Sequence, residues 1–147
     1  MQTDALQDLL FAVMPQWYCH IAKPFKQMMH SGVSLDMYYC IRILQQVDTA
    51  SMTELARRMR MPKQRMTKLA DQLIEMRFVE RVPDPDDRRI VRLRCTENAR
   101  EYVDRFLSKD AAEYRALFDG MCEADRRDFG DALQTLQRIF AKLPDRE

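Results

Sequence analysis

Residues 78–96 constrain the fold of this chain more than any other segment. They read Phe-Val-Glu-Arg-Val-Pro-Asp-Pro-Asp-Asp-Arg-Arg-Ile-Val-Arg-Leu-Arg-Cys-Thr, two short runs around a tip that holds two prolines and three aspartates. Proline and aspartate favour turns, and prolines this close together exclude a helix. The segment therefore predicts a β-hairpin. Its tip carries the adjacent arginines Arg88 and Arg89, which repel each other unless an anionic partner lies near.

The second strand of this hairpin alternates in character. Val91, Leu93 and Cys95 alternate with Arg92, Arg94 and Thr96, which predicts one apolar face and one basic face. Asp86 and Asp87 can form ion pairs with Arg88, and such pairs alone would make this an ordinary exposed turn. A turn held by ion pairs does not need a second arginine, so we expect the basic face to meet an anion.

A pair of helices precedes the hairpin. Ser51 and Glu54 match a capping box at the start of a short helix over 52–59, and a tight turn follows at 60–62. Proline suits the first position of a helix, so the second helix is predicted over 62–77. Its apolar residues repeat at i, i+3, i+4 and i+7: Met66, Leu69, Ala70 and Leu73. A short helix, a tight turn and a longer helix form a helix-turn-helix.

The opposite face of the second helix is polar and basic. It carries Gln64, Thr67, Lys68 and Asp71, with Lys63 and Arg65 at its start. These residue types contact base edges and phosphates in DNA, although a solvated helix face has them too. The basic hairpin beside this face favours a winged helix that binds DNA. The predicted DNA-binding residues are Ser51, Thr53, Lys63, Gln64, Arg65, Thr67, Lys68, Asp87, Arg88, Arg89 and Arg92.

The charge distribution agrees with this interpretation. Residues 54–94 carry 12 Lys/Arg against 7 Asp/Glu, whereas residues 1–53 and 95–147 both have an acidic excess. The net charge of the whole chain is only +1, so the basic middle indicates a local anionic partner.

Apolar helices are predicted on both sides of this lobe. The first covers 4–30, with interruptions at Pro15 and Pro24, and ends at Ser31. The second covers 35–48 and is capped by Ser34. Two more are predicted over 97–119, which Thr96 can cap, and over 124–143. Phe129, Leu133, Leu136, Phe140 and Leu143 follow the spacing of a helix-packing seam, and Leu6, Leu10, Val13 and Trp17 form a second stripe. The two stripes could pack on each other within one chain. We favour a homodimer interface made from both termini.

The run from Leu73 to Thr96 carries a resemblance. Its pattern, Leu-x-x-x-x-Phe-Val-Glu-Arg-x-Pro-Asp-Pro-x-Asp-Arg-Arg followed by Thr after six further residues, resembles the MarR family of winged-helix transcription regulators. The order of elements is similar over nearly the whole chain. The family's Asp-x-Arg wing motif falls on Asp87 and Arg89. The family's usual Ser or Thr at the start of the recognition helix is Pro62 here, and its Leu-Thr after the wing is Cys95-Thr96.

The resemblance implies a mainly α fold with a small β-hairpin wing. A winged helix-turn-helix lobe over 34–96 would join a helical dimerisation region over 1–30 and 97–147. The function implied is that of a homodimeric regulator, a repressor released by a small-molecule effector. It would bind a pseudo-palindromic double-stranded DNA operator, with helix 62–77 in the major groove and wing 79–95 in the minor groove.

The resemblance also implies a small aromatic or lipophilic effector near the first two helices. The candidate residues there are Trp17, Tyr18, His20, Tyr38 and Tyr39, with Phe25 among them, although aromatic residues at such positions also serve as core. Cys19 and Cys40 leave a thiol-based redox switch open as an alternative, and the roles of Cys95 and Cys122 are open as well. A winged helix that binds a protein partner is a further alternative.

Other classes find little support in the sequence. No nucleophile–base pair or phosphate loop stands at recognisable spacing, so we expect no enzyme, no catalytic residue and no cofactor. Two histidines, His20 and His30, and four cysteines without a CxxC pair predict no metal site. The absence of a signal peptide and of a membrane-spanning run predicts a cytoplasmic protein with reduced thiols and no membrane partner.

Overall fold

The computed structural model describes residues 2–29, 32–109 and 112–144, and it is mainly helical with one small antiparallel sheet. Its elements are α1 (Thr3–Trp17), α2 (Lys23–Met28), α3 (Leu35–Val47), β1 (Thr49–Ser51), α4 (Met52–Arg58), α5 (Lys63–Glu75), β2 (Val79–Pro83), β3 (Val91–Cys95), α6 (Glu97–Lys109), α7 (Ala112–Asp119) and α8 (Glu123–Phe140). The predicted fold class is confirmed. His30 and Ser31 lie outside the described residues.

The sheet has three strands in the order β1-β3-β2, whereas the sequence predicts only the hairpin of β2 and β3. The missed strand, β1, places Ala50 opposite Leu93 of β3. Three residues are too few to show an alternating pattern, and the strand exists because the free edge of β3 offers hydrogen bonds. β1 therefore joins the wing directly to the start of α4.

The helix caps predicted at Ser51 and Ser34 are confirmed. The Ser51 hydroxyl accepts a hydrogen bond from the Glu54 amide at 3.2 Å, and the Glu54 carboxylate accepts one from the Ser51 amide at 2.9 Å. The Ser34 hydroxyl likewise accepts from the Met37 amide. Pro62, in contrast, is the N-cap of α5 and not its first residue, because its ψ of 145° is extended. The helix-turn-helix thus consists of α4, a turn through Arg60 at φ 49°, and α5.

The core of the lobe agrees with the predicted helix faces. Met66, Leu69, Ala70 and Leu73 of α5 are all buried, together with Leu55 of α4, Met37, Ile41 and Leu44 of α3 and Ala99, Val103 and Phe106 of α6. Leu93 and Cys95 are buried as predicted, but Val91 is exposed. It is paired with Pro83 at the far end of the hairpin, beyond the reach of β1. The predicted apolar face therefore covers only the inner half of the strand.

The first predicted helix is interrupted at one place. Tyr18–Ala22 form a π turn between α1 and α2, in which the Lys23 amide donates to the Tyr18 carbonyl. Pro24 follows at once. It lacks the amide that would bond the His20 carbonyl in an α-helix, and its ring would clash with that carbonyl. Pro15, also predicted to interrupt, lies inside α1.

The helix predicted over 97–119 is helical wherever the structure describes it, as α6 and α7 on either side of two residues that lie outside the described ranges. Thr96 caps α6, since its hydroxyl accepts from the Ala99 amide. Neither α1 nor α8 contains a buried residue, although both are rich in large apolar side chains.

Candidate nucleic-acid interface

The tip of the wing is organised by Asp84. Its Oδ1 accepts hydrogen bonds from the amides of Asp86, at 2.8 Å, and Asp87, at 3.0 Å. These two bonds, with a third from Arg92, lower the pKa of the Asp84 carboxyl below its ordinary value, so it is ionised at neutral pH. A carboxylate that binds the amides two and three residues ahead fixes the turn locally. The Pro-Asp-Pro-Asp sequence contains this signal, which the prediction did not use.

Arg89 projects from this tip and is held by Asp87. The Asp87 carboxylate accepts from the Arg89 amide at 3.0 Å, from Nε at 3.1 Å and from a terminal guanidinium nitrogen at 3.0 Å. Nevertheless 90% of the Arg89 side chain is exposed. The fork lowers the pKa of Asp87 and raises that of Arg89, so both groups stay charged. The arginine is thus oriented while most of its surface remains available.

The predicted pairing of Asp86 and Asp87 with Arg88 is wrong. Asp87 binds Arg89 instead, because the tight turn closed by the Ile90 amide on the Asp87 carbonyl sets those two side chains together. Arg88 is exposed and forms no hydrogen bond or ion pair with any residue that the structure describes. The tip therefore presents two cations, of which one is held in place.

The arginines of β3 are not a free basic face. Arg92 is only 22% exposed and donates to the Thr49 hydroxyl and carbonyl, to Glu54 and to Asp84. Arg94 donates twice to one oxygen of Glu80 across the hairpin. The expectation of a basic strand face fails because acidic partners on β2, α4 and the tip face these side chains. Glu54 is 38 residues from Arg92, whereas Glu80 and Asp84 belong to the same hairpin, with Glu80 directly opposite Arg94.

On α5 the predicted polar residues are exposed, in two groups. Lys63, Gln64 and Lys68 have exposed side chains and no partner for those side chains within the described part of the chain. The others are engaged. Arg65 donates to Asp36 of α3, Asp71 accepts from Arg81 of β2, and the Thr67 hydroxyl donates to the Lys63 carbonyl. The engaged pairs join α5 to α3 and to the hairpin, and the unpaired side chains remain open to a ligand.

The two remaining predicted residues lie at the start of α4. Ser51 is half-buried and its hydroxyl serves the capping box, whereas Thr53 is exposed. Backbone amides at the start of a helix attract phosphate whatever the side chain does. Both residues therefore stand where a DNA backbone contact is feasible.

The predicted effector residues do not form one cluster. Trp17 and His20 line a cleft of about 370 Å³ together with Val13, Gln16, Ile21, Leu117, Met121 and Phe129. Tyr38 is instead part of the core, packed against Phe25 and Phe106, and Tyr39 stacks on Phe25. Tyr18 is exposed. Of the two adjacent tyrosines of α3, Tyr38 therefore faces the core and Tyr39 is exposed.

A second, wholly apolar cleft of about 340 Å³ adjoins the first. It shares Trp17, Ile21 and Phe129 and adds Phe25, Tyr114, Phe118 and Leu133. The Tyr114 hydroxyl donates to the Ile21 carbonyl at 2.6 Å, which ties α7 to the π turn. The residues of α7 and α8 in these clefts were missed because nothing local to their sequence indicates a cavity.

The four thiols differ in environment. Cys40 and Cys95 are buried, which raises the pKa of Cys40 to about 12 and that of Cys95 to about 11. Cys19 and Cys122 are exposed. We expect an alkylating reagent at pH 7 to label Cys19 and Cys122 rapidly. Cys40 and Cys95 should react only after unfolding, since burial shields both thiols from the reagent and disfavours their thiolate forms.

Mass spectrometry of peptides from native and urea-treated protein measures this difference. Equal labelling of all four cysteines in the native protein would contradict the buried environment of α3 and β3.

Among the residues that the structure describes, no cluster of three or more His, Cys, Asp or Glu side chains is arranged to hold a metal ion. None of the helices in the described segments has the length and apolar character needed to cross a bilayer.

The helix-turn-helix, the three-stranded sheet and the projecting wing define a winged-helix protein. Residues 31–90 match the model of the MarR family. A protein of Bacillus subtilis (strain 168), described as an uncharacterized HTH-type transcriptional regulator, YpoP, is 25% identical over 138 residues, which are 94% of this chain and 90% of that protein. Over residues 31–90 the chain thus matches the MarR family, and over most of its length it is similar to an HTH-type transcriptional regulator.

Solved structures share this fold over almost the full length. A MarR family protein from Bacillus stearothermophilus superposes with a TM-score of 0.76 at 15% identity, covering 97% of this chain and 99% of that one. FabT from Streptococcus pneumoniae, solved in complex with DNA, gives a TM-score of 0.62 at 16% identity, covering 97% and 100%. These likenesses extend the common fold to the helices outside residues 31–90.

Proposed function

We propose that this protein binds double-stranded DNA as a homodimer and recognises a pseudo-palindromic operator. In this arrangement α5 enters the major groove and the wing enters the adjacent minor groove. The observation that carries the proposal is Arg89, which is forked to Asp87 and 90% exposed. The exposed side chains of Lys63, Gln64 and Lys68 on α5, unpaired among the described residues, add to it. A narrow minor groove has the negative potential that such an arginine requires. The complex of FabT with DNA supports the same role for this fold.

Two of the engaged residues of α5 receive a structural role in this proposal. Arg65 and Asp71, paired with Asp36 and Arg81, hold the helix in register with α3 and the hairpin. Lys63, Gln64 and Lys68 contact DNA, and Arg88 adds a phosphate contact at the wing. Ser51 and Thr53 bring the amino end of α4 to a phosphate. The protein acts by occupying DNA, without catalysis.

The test is a selection of genomic fragments by the purified protein, followed by a salt titration on the best fragment. An inverted repeat with two half-sites about one helical turn apart is expected, because a two-fold symmetric dimer presents two α5 helices. Affinity should fall steeply as salt rises. A folded protein that enriches no fragment in any salt would exclude DNA as its ligand and favour a protein partner.

We expect Gln64→Ala and Lys68→Ala to reduce sequence discrimination by about 1–3 kcal/mol when the side chain contacts a base. Both side chains are exposed and unpaired among the described residues, so neither change disturbs the core. Binding of each variant to the operator and to random DNA is compared by fluorescence anisotropy. An equal loss of affinity for the operator and for random DNA would show that the side chain contacts phosphate. Unchanged affinity for both would show that the residue does not contact DNA.

The dimer is proposed from the apolar surfaces of α1 and α8. Leu6, Leu9, Leu10, Phe11, Val13 and Met14 of α1 and Leu133, Leu136, Ile139, Phe140 and Leu143 at the C-terminus are all between 38% and 62% exposed in the single chain. Contiguous apolar surface of this extent is uncommon on a monomer. The helices are not covered by one another, so a second copy is the occupant that we propose. The dimerisation region is then 1–30 with 97–147, and 34–96 is the DNA-binding lobe.

We further propose repression that is released by a small aromatic or lipophilic effector in the two adjoining clefts at the π turn. Their lining is almost wholly apolar, with Gln16 and His20 as the polar side chains that can orient a ligand. Trp17 is the only tryptophan of the chain, so its fluorescence reports on both clefts. A screen of phenols and aromatic carboxylates should quench Trp17 and release DNA together. Quenching of Trp17 without release of DNA would show that the clefts bind the ligand but do not control DNA binding.

A further inference from the structure

Arg92 occupies a junction between three parts of the winged helix. Its guanidinium donates to the Thr49 hydroxyl at 3.0 Å and the Thr49 carbonyl at 3.2 Å in β1. It also donates to Glu54 of α4 at 3.2 Å and to Asp84 of the wing tip at 3.3 Å. The side chains of Arg92 and Asp84 are only 22% and 12% exposed.

The acceptors of Arg92 are themselves part of local structures. Glu54 uses the same carboxylate oxygen, Oε2, to accept from Arg92 and from the Ser51 amide, so the arginine bonds directly to the capping box of α4. Asp84 uses one oxygen for Arg92 and the other for the amides of Asp86 and Asp87. Hydrogen bonds between ionised groups are stronger than those between neutral groups. Because they already order the side chains of Arg92, Glu54 and Asp84 in the free protein, these side chains lose little further conformational entropy when a ligand binds.

The bonds form one continuous path. It runs from the α4 capping box through Glu54, Arg92 and Asp84 to the amides of the wing tip, and from Asp87 to the guanidinium of Arg89. We infer that Arg92 is a positioning residue, which fixes the wing and its Arg89 relative to the helix-turn-helix instead of contacting DNA. This inference rests on the proposed DNA-binding function, and it replaces the sequence-based assignment of Arg92 to the DNA-contacting set.

The first arm of the test needs no DNA. Amide hydrogen exchange, followed by NMR, is measured for Asp86, Asp87 and Arg89 in the wild type and in Arg92→Gln. We expect exchange at these amides to accelerate about tenfold or more, while the amides of the α3 and α5 cores keep their protection. Arg94→Gln is the matched control, since it removes the same charge from the same strand but only the Glu80 pair. Unchanged exchange in Arg92→Gln would overturn the inference.

The second arm measures DNA affinity in a double-mutant cycle. Arg92→Gln alone should weaken operator binding roughly tenfold, through a disordered wing. Combined with Arg89→Ala, it should cost little more than Arg89→Ala alone, because a positioning residue has no effect once the side chain that it positions is gone. Full additivity would show that Arg92 acts on DNA itself and would overturn the inference.

Two further variants complete the test. Arg92→Lys keeps the charge but cannot fork between Thr49, Glu54 and Asp84, so we expect it to behave like Arg92→Gln. Wild-type exchange and affinity in the lysine variant would contradict the inference. Asp84→Asn keeps one oxygen for the amides of Asp86 and Asp87 but replaces the oxygen that accepts from Arg92, so it should loosen the tip even where an Arg92 variant folds poorly. A wild type that binds no DNA would refute the proposed function, and the exchange arm would still decide the role of Arg92.

Discussion

Replacing Arg89 with alanine should weaken operator binding by about ten- to a hundredfold and reduce the slope of log affinity against log salt by about 0.9. The reason is the position of the guanidinium, which is exposed at the wing tip and oriented by two side-chain bonds to Asp87. Arg89→Ala removes one charged contact with the minor groove. Both the operator affinity and the slope of log affinity against log salt should therefore fall in magnitude. Anisotropy titrations at several salt concentrations measure both quantities.

The control for Arg89 is Arg127→Ala. Arg127 lies on α8 in an exposed pair with Glu123, so its loss changes the net charge equally without touching the wing. Its affinity and slope should match those of the wild type. Equal effects of the two substitutions would mean that only overall charge matters, and an unchanged slope in Arg89→Ala would place the wing outside the DNA interface.

Leu136→Asp should convert the dimer to a monomer and lower operator affinity by about two to four orders of magnitude. Leu136 lies in the apolar seam of α8 and is 40% exposed in the single chain, so a charge there does not disturb the core of a protomer. In a dimer the same charge would be desolvated without a partner. DNA affinity follows because two half-sites bound by linked lobes gain from high effective concentration, which separate lobes lose.

Sedimentation equilibrium measures the first of these effects. The wild type should have twice the 17.5 kDa mass of one chain and the variant the mass of one. Gln134→Asp adds the same charge to α8 on the opposite side from the seam and should remain dimeric. A wild-type protein that is monomeric at micromolar concentration would refute the interface. A dimeric Leu136→Asp protein would place that interface elsewhere.

Local signals in the sequence predicted much of this fold. The capping boxes at Ser34 and Ser51 depend on residues three apart, and the buried face of α5 depends on helical spacing, so both could be predicted from short segments. The fork between Asp87 and Arg89 is also local, and the family resemblance predicted it. Such features need no knowledge of the rest of the chain.

The features that were missed depend on contacts between distant residues. Arg92 was assigned to an open basic face, but its partners Thr49 and Glu54 lie 43 and 38 residues away. Strand β1 exists only as a neighbour of β3. The clefts at the π turn combine residues of α1, α2, α7 and α8, which only tertiary packing brings together. In each case the local pattern permitted several environments, and tertiary packing selected one.

The π turn at Tyr18–Ala22 bears on how this chain is aligned with its relatives. A π turn contains one residue more than an α-helical turn. Every later side chain is therefore rotated back by about 100° around the helix axis, relative to its place in a regular helix. Trp17 and Phe25, about 80° apart in a regular helix, come to within roughly 20° of each other, and both line the apolar cleft. A relative whose first helix is regular throughout reaches the same geometry with one residue fewer. Its alignment to this chain should therefore open a single-residue gap in the middle of a helix, at a position where gaps are ordinarily penalised.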